Sequence, residues 1–281
     1  MKKASIFLFL HISIFNFLLA QDVQESEILF TQGEKLFTEG KFTDAYFNFT
    51  KYIQYNPDSV KGYISRGNTA IFLNKIKDAE TDFKKAIELE PNNYKAYSGL
   101  GTAYVYMQND SEALKSYTKA LELNPNDVVT LNSLSVIYHA GGKTSEAMNY
   151  LNKAIEIKPD YADSYKNRGS VYLLTGDSLK ALEDLNKAVE LAPNRADIYN
   201  TRGAIYREME RYDEAIADFN KSLELDPNNA EAYCRRGVAY LYKNDYSKAI
   251  NDMETGIKLQ PSMEPLISKY LEEAKQRKEG K

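Results

Sequence analysis

The sequence is short of the residues that most often carry chemistry. Its 281 residues include one cysteine (Cys234), two histidines (His11 and His139) and no tryptophan. One cysteine cannot close an intrachain disulfide. Two histidines and a cysteine cannot build a thiolate or imidazole zinc cage. A Ser-His-Asp or Cys-His centre would have to use His139, and no motif around that residue supports one. No spaced carboxylate cluster stands in their place. No catalytic residue, metal ligand or cofactor is therefore assigned. A basic block is missing too. The net charge is −4, with 27% charged and 43% apolar residues, which argues against nucleic acid as the partner.

A long hydrophobic run is also lacking. The most apolar stretch runs from Ile6 to Leu19, behind Lys2 and Lys3 and ahead of Ala20 and a polar turn at Gln21. A basic start, a short apolar core and a small residue form a secretory signal pattern, expected to occupy 1–20 with a short linker at 21–25. Leu18, two residues before Ala20, is larger than the small residue preferred at that place. The competing reading is a retained anchor that tethers the protein to a membrane, but the run falls short of the ~20 residues a spanning helix needs. No cysteine follows it, so a lipoprotein signal is excluded. Removal would take two positive charges from the chain and leave no membrane-spanning segment.

Prolines are few, and their placement is the most informative feature. Seven of the eight are Pro57, Pro91, Pro125, Pro159, Pro193, Pro227 and Pro261, each 34 residues from the next. They divide the chain into seven gapless units: 26–59, 60–93, 94–127, 128–161, 162–195, 196–229 and 230–263. Slot 20 of every unit is alanine, from Ala45 to Ala249. Slot 8 is glycine in six units, with Ser135 the exception. Slots 4 and 11 are each tyrosine in five units, and slot 24 is large throughout (Phe49, Phe83, Tyr117, Leu151, Leu185, Phe219, Met253).

The spacing explains these choices. Slots 4, 8 and 11 share one face of a helix, and slots 20, 24 and 27 share one face of a second. Glycine at slot 8 and alanine at slot 20 allow the two helices to approach, with the large residues filling the space around the contact. Proline stops the second helix, and the polar residues after it suit a turn into the next unit. The LEPNNYKAY and LDPNNAEAY segments, at Leu89–Tyr97 and Leu225–Tyr233, are such joints.

At these residues the chain resembles the tetratricopeptide repeat family, whose 34-residue signature carries aromatic, Gly, Tyr, Ala, Phe and Pro slots. Tyrosine replaces tryptophan at slot 4, and arginine replaces leucine at slot 7 in several units. The resemblance implies an all-α, right-handed superhelical solenoid of seven helix-turn-helix repeats. It further implies a concave groove, lined by the first helices, that holds a protein or peptide. The groove slots are mainly 2, 5, 9, 12 and 13. In the centre of the chain they are Ile64, Asn68, Lys95, Ser98, Thr102, Val129, Asn132, Val136, His139, Lys166 and Ser170. Some family members clamp a carboxylate with Lys, Asn and Arg over three units. Asn68, Lys95 and Lys166 are present here, but Ile64, Gly99 and Val129 occupy other places, so that clamp is not assembled. Cys234 falls on groove slot 5, where a lone helical cysteine is usually inert.

Two further features stand out. Slot 7 is arginine in four units (Arg66, Arg168, Arg202, Arg236), and slot 23 is aspartate in the same four (Asp82, Asp184, Asp218, Asp252). An antiparallel hairpin sets these slots at similar heights, so an Arg–Asp pair is expected inside each, in preference to an anion site. The fourth unit differs most, with Ser135, no such pair, Gly141-Gly142 in its turn, and His139. The simpler reading of these differences is drift around a surface histidine; the sharper one is a distinct central groove surface where a partner would anchor. After the last unit, 264–281 reads as a capping helix whose stripe is Leu266, Ile267, Tyr270, Leu271 and Ala274. The expected function is an exported, periplasmic or secreted interaction scaffold. A membrane-tethered assembly factor is the alternative, and an enzyme a remote one.

Overall fold

The computed structural model describes residues 24–280. The expected signal segment lies outside the described residues. Within them the chain is helical, with no strand. Helix α1 spans 24–38. It is followed by α2 (Phe42–Tyr55), α3 (Val60–Phe72), α4 (Ile76–Leu89), α5 (Tyr94–Tyr106), α6 (Asp110–Leu123) and α7 (Val128–Ala140). Then come α8 (Thr144–Ile157), α9 (Ala162–Leu174), α10 (Ser178–Leu191), α11 (Ala196–Glu208), α12 (Tyr212–Leu225), α13 (Ala230–Tyr242) and α14 (Tyr246–Leu259). A 3₁₀ turn at Pro261–Met263 leads into α15 (Glu264–Glu279). The chain divides into two compact units between Ser133 and Leu134, inside α7.

From α3 to α14 the helices fall at the same slots in every repeat. The first helix of a pair takes slots 1–13, and the second takes slots 17–30. What ends the first helix is a left-handed residue at slot 15. Gly40, Gly142 and Gly176 hold φ of 74°, 71° and 79° there, and Asn74, Gln108, Glu210 and Asn244 hold 57–61°. The chain then reverses with two backbone bonds. In the second repeat, Lys75 N–H donates to Ala70 C=O at 2.8 Å and Asn74 N–H to Ile71 C=O at 3.0 Å. These satisfy carbonyls that a helix end leaves open. Gly142 is thus the fourth repeat's version of a position every repeat needs, and the Gly141-Gly142 pair does not set that repeat apart.

Slots 20 and 24 form the centre of each hairpin. All seven slot-20 alanines and all seven slot-24 side chains are fully buried or nearly so. The slot-8 glycine makes room for the slot-24 side chain as much as for backbone. A Cβ on Gly203 would stand 2.8 Å from Phe219 Cε1, and one on Gly169 would stand 2.0 Å from Leu185 Cδ2. At these separations a neighbour must move. The slot-4 tyrosines are half-buried and tie the joints between repeats. Tyr63 and Tyr165 donate from Oη to Pro57 C=O and Pro159 C=O at 3.0 and 3.1 Å.

The first unit builds its core from Phe30, Phe49 and Tyr52 and, further on, from Phe83, Leu100 and Ala103. In the second unit one cluster surrounds Leu185, Ile198 and Ile205 and another closes the C-terminal end. There Ile267 and Ala274 of α15 are buried against Val238, Leu241 and Met253, with Tyr270 and Leu271 packed alongside. Pro265 sits in the first turn of α15, where its missing N–H costs nothing. Leu266, expected in the packed stripe, is instead 70% exposed. The packed line is centred on Ile267, Leu271 and Ala274, and Leu266 lies at its edge, one residue round the helix from Ile267.

Candidate interaction surface

The four arginines at slot 7 each make a bidentate pair with aspartate at slot 23. Arg202 donates from Nε and Nη2 to the Asp218 carboxylate, both at 2.7 Å. The same fork joins Arg66 to Asp82, Arg168 to Asp184, and Arg236 to Asp252 at 2.6–2.8 Å. The aspartates are buried and the arginines lie partly exposed. In Arg66, Arg168 and Arg202 the bonded carboxylate raises the guanidinium pKa above its usual range. Each ring of neighbours is completed by tyrosine, as where Arg202 lies 5.6 and 5.8 Å from the Tyr199 and Tyr206 rings.

A third bond reaches the preceding repeat. Arg168, Arg202 and Arg236 donate from Nη1 to the side-chain oxygens of Asn152, Asn186 and Asn220 at 2.9, 2.9 and 2.7 Å. Arg66 makes the weaker counterpart to Thr50 at 3.4 Å. Each arginine therefore joins three helices from two repeats. The expectation placed a pair within one hairpin and missed this link. Its trace was present in the sequence, since asparagine stands sixteen residues before three of the four arginines. A guanidinium so engaged is structural and is not available to a ligand.

The expected groove residues divide into two groups. In the first unit, Asn68, Lys95 and Val129 are exposed. Ile64 packs against the Phe83 cluster. Thr102 Oγ1 shares a hydrogen bond of 3.0 Å with Tyr117 Oη. Ser98 and Asn132 are buried, contrary to the expectation. Thr130 Oγ1 donates to Ser98 Oγ at 2.8 Å, and Asn132 Nδ2 donates to Val128 C=O at 2.9 Å. At these two places slot 5 is turned into the packing and its polar atoms are used there. A hollow of about 230 Å³ between α1 and α3 is lined by Glu34, Phe37, Thr38, Phe49, Ser65 and Asn68.

In the second unit the first-helix face opens into a cleft of about 590 Å³. It is reached from α7 by His139, from α9 by Ser170, Leu173 and Leu174, and from α11 and α13 by charged and amide side chains. Small residues at slot 9, Ser170 and Ala204, create the depth. An adjoining hollow of about 280 Å³ shares His139 and Ser170 and adds Val136 and Lys166. Val136 is 48% exposed at its rim. Ser170 Oγ donates to Lys166 C=O at 3.1 Å.

The charges of this cleft are paired. Lys166 Nζ donates to Asp197 at 2.7 Å, and Arg195 bridges Asp197 and Asp163. Burial alone would push the Asp197 carboxyl up, but Arg195 and Lys166 hold it well below the usual carboxylate range. Arg235 bonds Glu231 at 2.6 Å, and Arg207 bonds Glu208 at 2.5 Å. Burial lowers the Arg235 guanidinium from its usual value, and the nearby Arg207 acts in the same direction. Glu231, at slot 2, was expected to face the groove; Asn200 and Arg207 fall on groove slots 5 and 12 outside the central set, and Arg235, at slot 6, was not expected there. Cys234, beside them in sequence, is buried, and burial pushes its thiol up to about 11. That is the reverse of nucleophile activation. Among the described residues, no group of three His, Cys, Asp or Glu is placed to hold a metal ion. Nor is any helix long and apolar enough to cross a membrane.

Repeated antiparallel hairpins with a variable first-helix face define a helical-repeat interaction protein. The family models agree on which kind. Models described as tetratricopeptide repeat match 60–93, 94–127, 116–149, 162–195, 185–217 and 230–263, and one described as TPR repeat matches 136–176 and 203–243. The chain belongs to the tetratricopeptide repeat family. No curated protein matches it in sequence. Among solved structures it is similar to a chain of the APC/C hetero-tetramer Cut9–Hcn1, with 20% identity and a TM-score of 0.73 over 88% of this chain. It spans only 55% of that chain. It is also similar to a tetratricopeptide repeat protein from Parabacteroides merdae (17% identity, TM-score 0.66), covering 89% of this chain and 99% of that one. The third is pilF of Pseudomonas aeruginosa, at 19% identity and a TM-score of 0.60, covering 79% and 97%. At these identities the likeness is one of fold.

Proposed function

We propose that the protein is an exported, non-catalytic scaffold that binds a protein or peptide on the face of its first helices. One observation carries the reading. The residues that repeat are spent on packing, whereas those that vary gather on the first-helix face and open the cleft of the second unit. The carboxylates and the lysine and arginine cations there are neutralised by one another, which suits recognition better than proton transfer. Export is supported by the basic and apolar pattern of the first twenty residues.

Capture by chemical cross-linking in the native host tests the binding face. Val136→Glu combined with His139→Glu is expected to abolish capture of the partner that the unaltered protein yields. Undiminished capture would remove the proposed face. Sequencing the N-terminus of the protein recovered outside the cytoplasm tests export. A chain beginning at Gln21 is expected, and one retaining Met1 would favour a tethered form.

A further inference from the structure

We propose that the protein pairs with a second copy of itself through a phenylalanine cluster at the turn edge of its first two repeats. The contact is built within the first unit and does not depend on what the scaffold binds.

Phe37 of α1, Phe42 of α2 and Phe72 of α3 meet where the hairpins turn. The Phe42 and Phe72 rings stack at 4.6 Å and 14°. Phe37 stands steeply tilted to both, at 5.4 and 5.2 Å. Phe72 occupies slot 13, yet its ring lies on a second helix. The cluster therefore belongs to the turn edge and not to the line of first helices. Phe72 is nonetheless 60% exposed. The patch continues onto the third repeat, where Tyr106 is 60% and Val105 37% exposed. Lys77 Nζ, reaching Met107 Sδ at 3.7 Å, joins the two turns.

Packing does not require these rings. In the second unit the same places, slot 17 and the following slot 13, are Thr144 and Leu174, Ser178 and Glu208, and Tyr212 and Tyr242. Of these only the last pair is aromatic, stacked at 5.4 Å, and its hydroxyls bond readily to water. Phenylalanine has no such group, and a contact would recover the burial that its exposure forfeits. At ~200 Å² per aromatic side chain, the exposed fractions sum to roughly 350 Å² of apolar surface. A patch of that size on a monomer commonly marks a contact. It is about half of the ~800 Å² that each partner gives to a standard interface, with a polar rim to supply the rest.

The rim indicates the occupant. Lys41 bonds Glu39 at 2.7 Å and Lys77 bonds Glu80 at 3.1 Å. The neighbouring Lys75 is drawn over the Tyr46 ring at 4.3 Å. These two ion pairs present both signs in equal number, which gives them no net attraction for an anionic lipid surface. A two-fold axis through the cluster instead lets the lysine of each copy meet the glutamate of the other, the self-complementarity of an isologous contact.

Sedimentation equilibrium of the purified protein tests the pairing. The weight-average mass is expected to climb from one chain towards two between ~1 and ~200 μM. Phe72→Ser is expected to weaken the association at least ~30-fold, as for a central aromatic anchor. Leu179→Ser, which alters a still more exposed residue at a turn of the second unit, is expected to leave it unchanged. In the unaltered protein, amide exchange over 72–77 should slow at high concentration, a readout that needs no substitution. A chain that stays monomeric to ~200 μM would overturn the inference, including one that sediments with vesicles of phosphatidylcholine and phosphatidylglycerol through Phe72. A dimer that Phe72→Ser leaves intact, or that Leu179→Ser weakens as much, would overturn it too. Capture of a partner through Val136 is read separately, so loss of the dimer leaves the scaffold reading standing.

Discussion

Arg202 shows how one side chain can hold two repeats together. Its bonds run to Asp218 in its own hairpin and to Asn186 in the hairpin before. A half-buried bidentate pair cannot be cut at one end without leaving a desolvated charge. Arg202→Ala and Asp218→Ala should each cost about 2–4 kcal/mol. Their double mutant should cost at least ~1 kcal/mol less than the sum. Chemical denaturation measures all three, and simple additivity would refute the pairing. The asparagine arm is hidden in the sequence because Asn186 lies at slot 25 of the neighbouring repeat, and only the packing of one repeat on the next brings it to Arg202. Ser98 and Asn132 were misplaced for a related reason. Slot 5 borders the next repeat, and whether it faces solvent depends on what that repeat puts opposite.

Two other residues carry smaller predictions. Ser222 stands where four repeats have alanine (Ala86, Ala120, Ala154, Ala188), with its hydroxyl buried and unpartnered. Ser222→Ala is expected to raise stability by about 1 kcal/mol, visible as a higher denaturation midpoint. Asp197 is held ionised by Arg195 and Lys166. Its folded pKa lies below the unfolded value of ~3.9. The stability it contributes is therefore complete above that value and is lost as pH falls through the folded pKa. The group is partly exposed, so the effect is small. Between neutral pH and pH ~3, Asp197→Asn should lose less stability than the unaltered protein in matched urea titrations.

At the scale of the element, the turn between paired helices sets the repeat. Slot 15 is left-handed in all seven repeats, yet only Gly40, Gly142 and Gly176 are glycine. Four different residue types occupy that slot, which hid the common conformation from a reading by residue identity. The helices themselves were legible because alanine, glycine and proline recur at fixed places for steric reasons that admit few substitutes. The left-handed slot tolerates substitution at a cost of ~1 kcal/mol, so drift there survives. Glu210→Gly should recover about that amount, and Gly176→Ala should lose it. Thermal melts of the two variants are expected to move in opposite directions. Equal shifts would show that slot 15 does not limit the hairpin.

For the molecule as a whole, seven copies of one packing scheme leave function to whatever the scheme does not constrain. The cleft was only half legible beforehand. Val136, His139, Lys166 and Ser170 were expected on the right face, but the depth comes from Ser170 and Ala204 being small together. Asn200, Arg207, Glu231 and Arg235 also gather there from two adjacent first helices. No single repeat contains that arrangement. The most direct test of the central claim is site-specific photo-cross-linking in the native host. The photoreactive residue is placed at Val136 or Ala204 on the first-helix face, and at Lys187 on a second helix. A discrete adduct from the first two positions and none from Lys187 is the predicted result. Adducts of equal yield from Lys187, or none from Val136 and Ala204, would contradict the account.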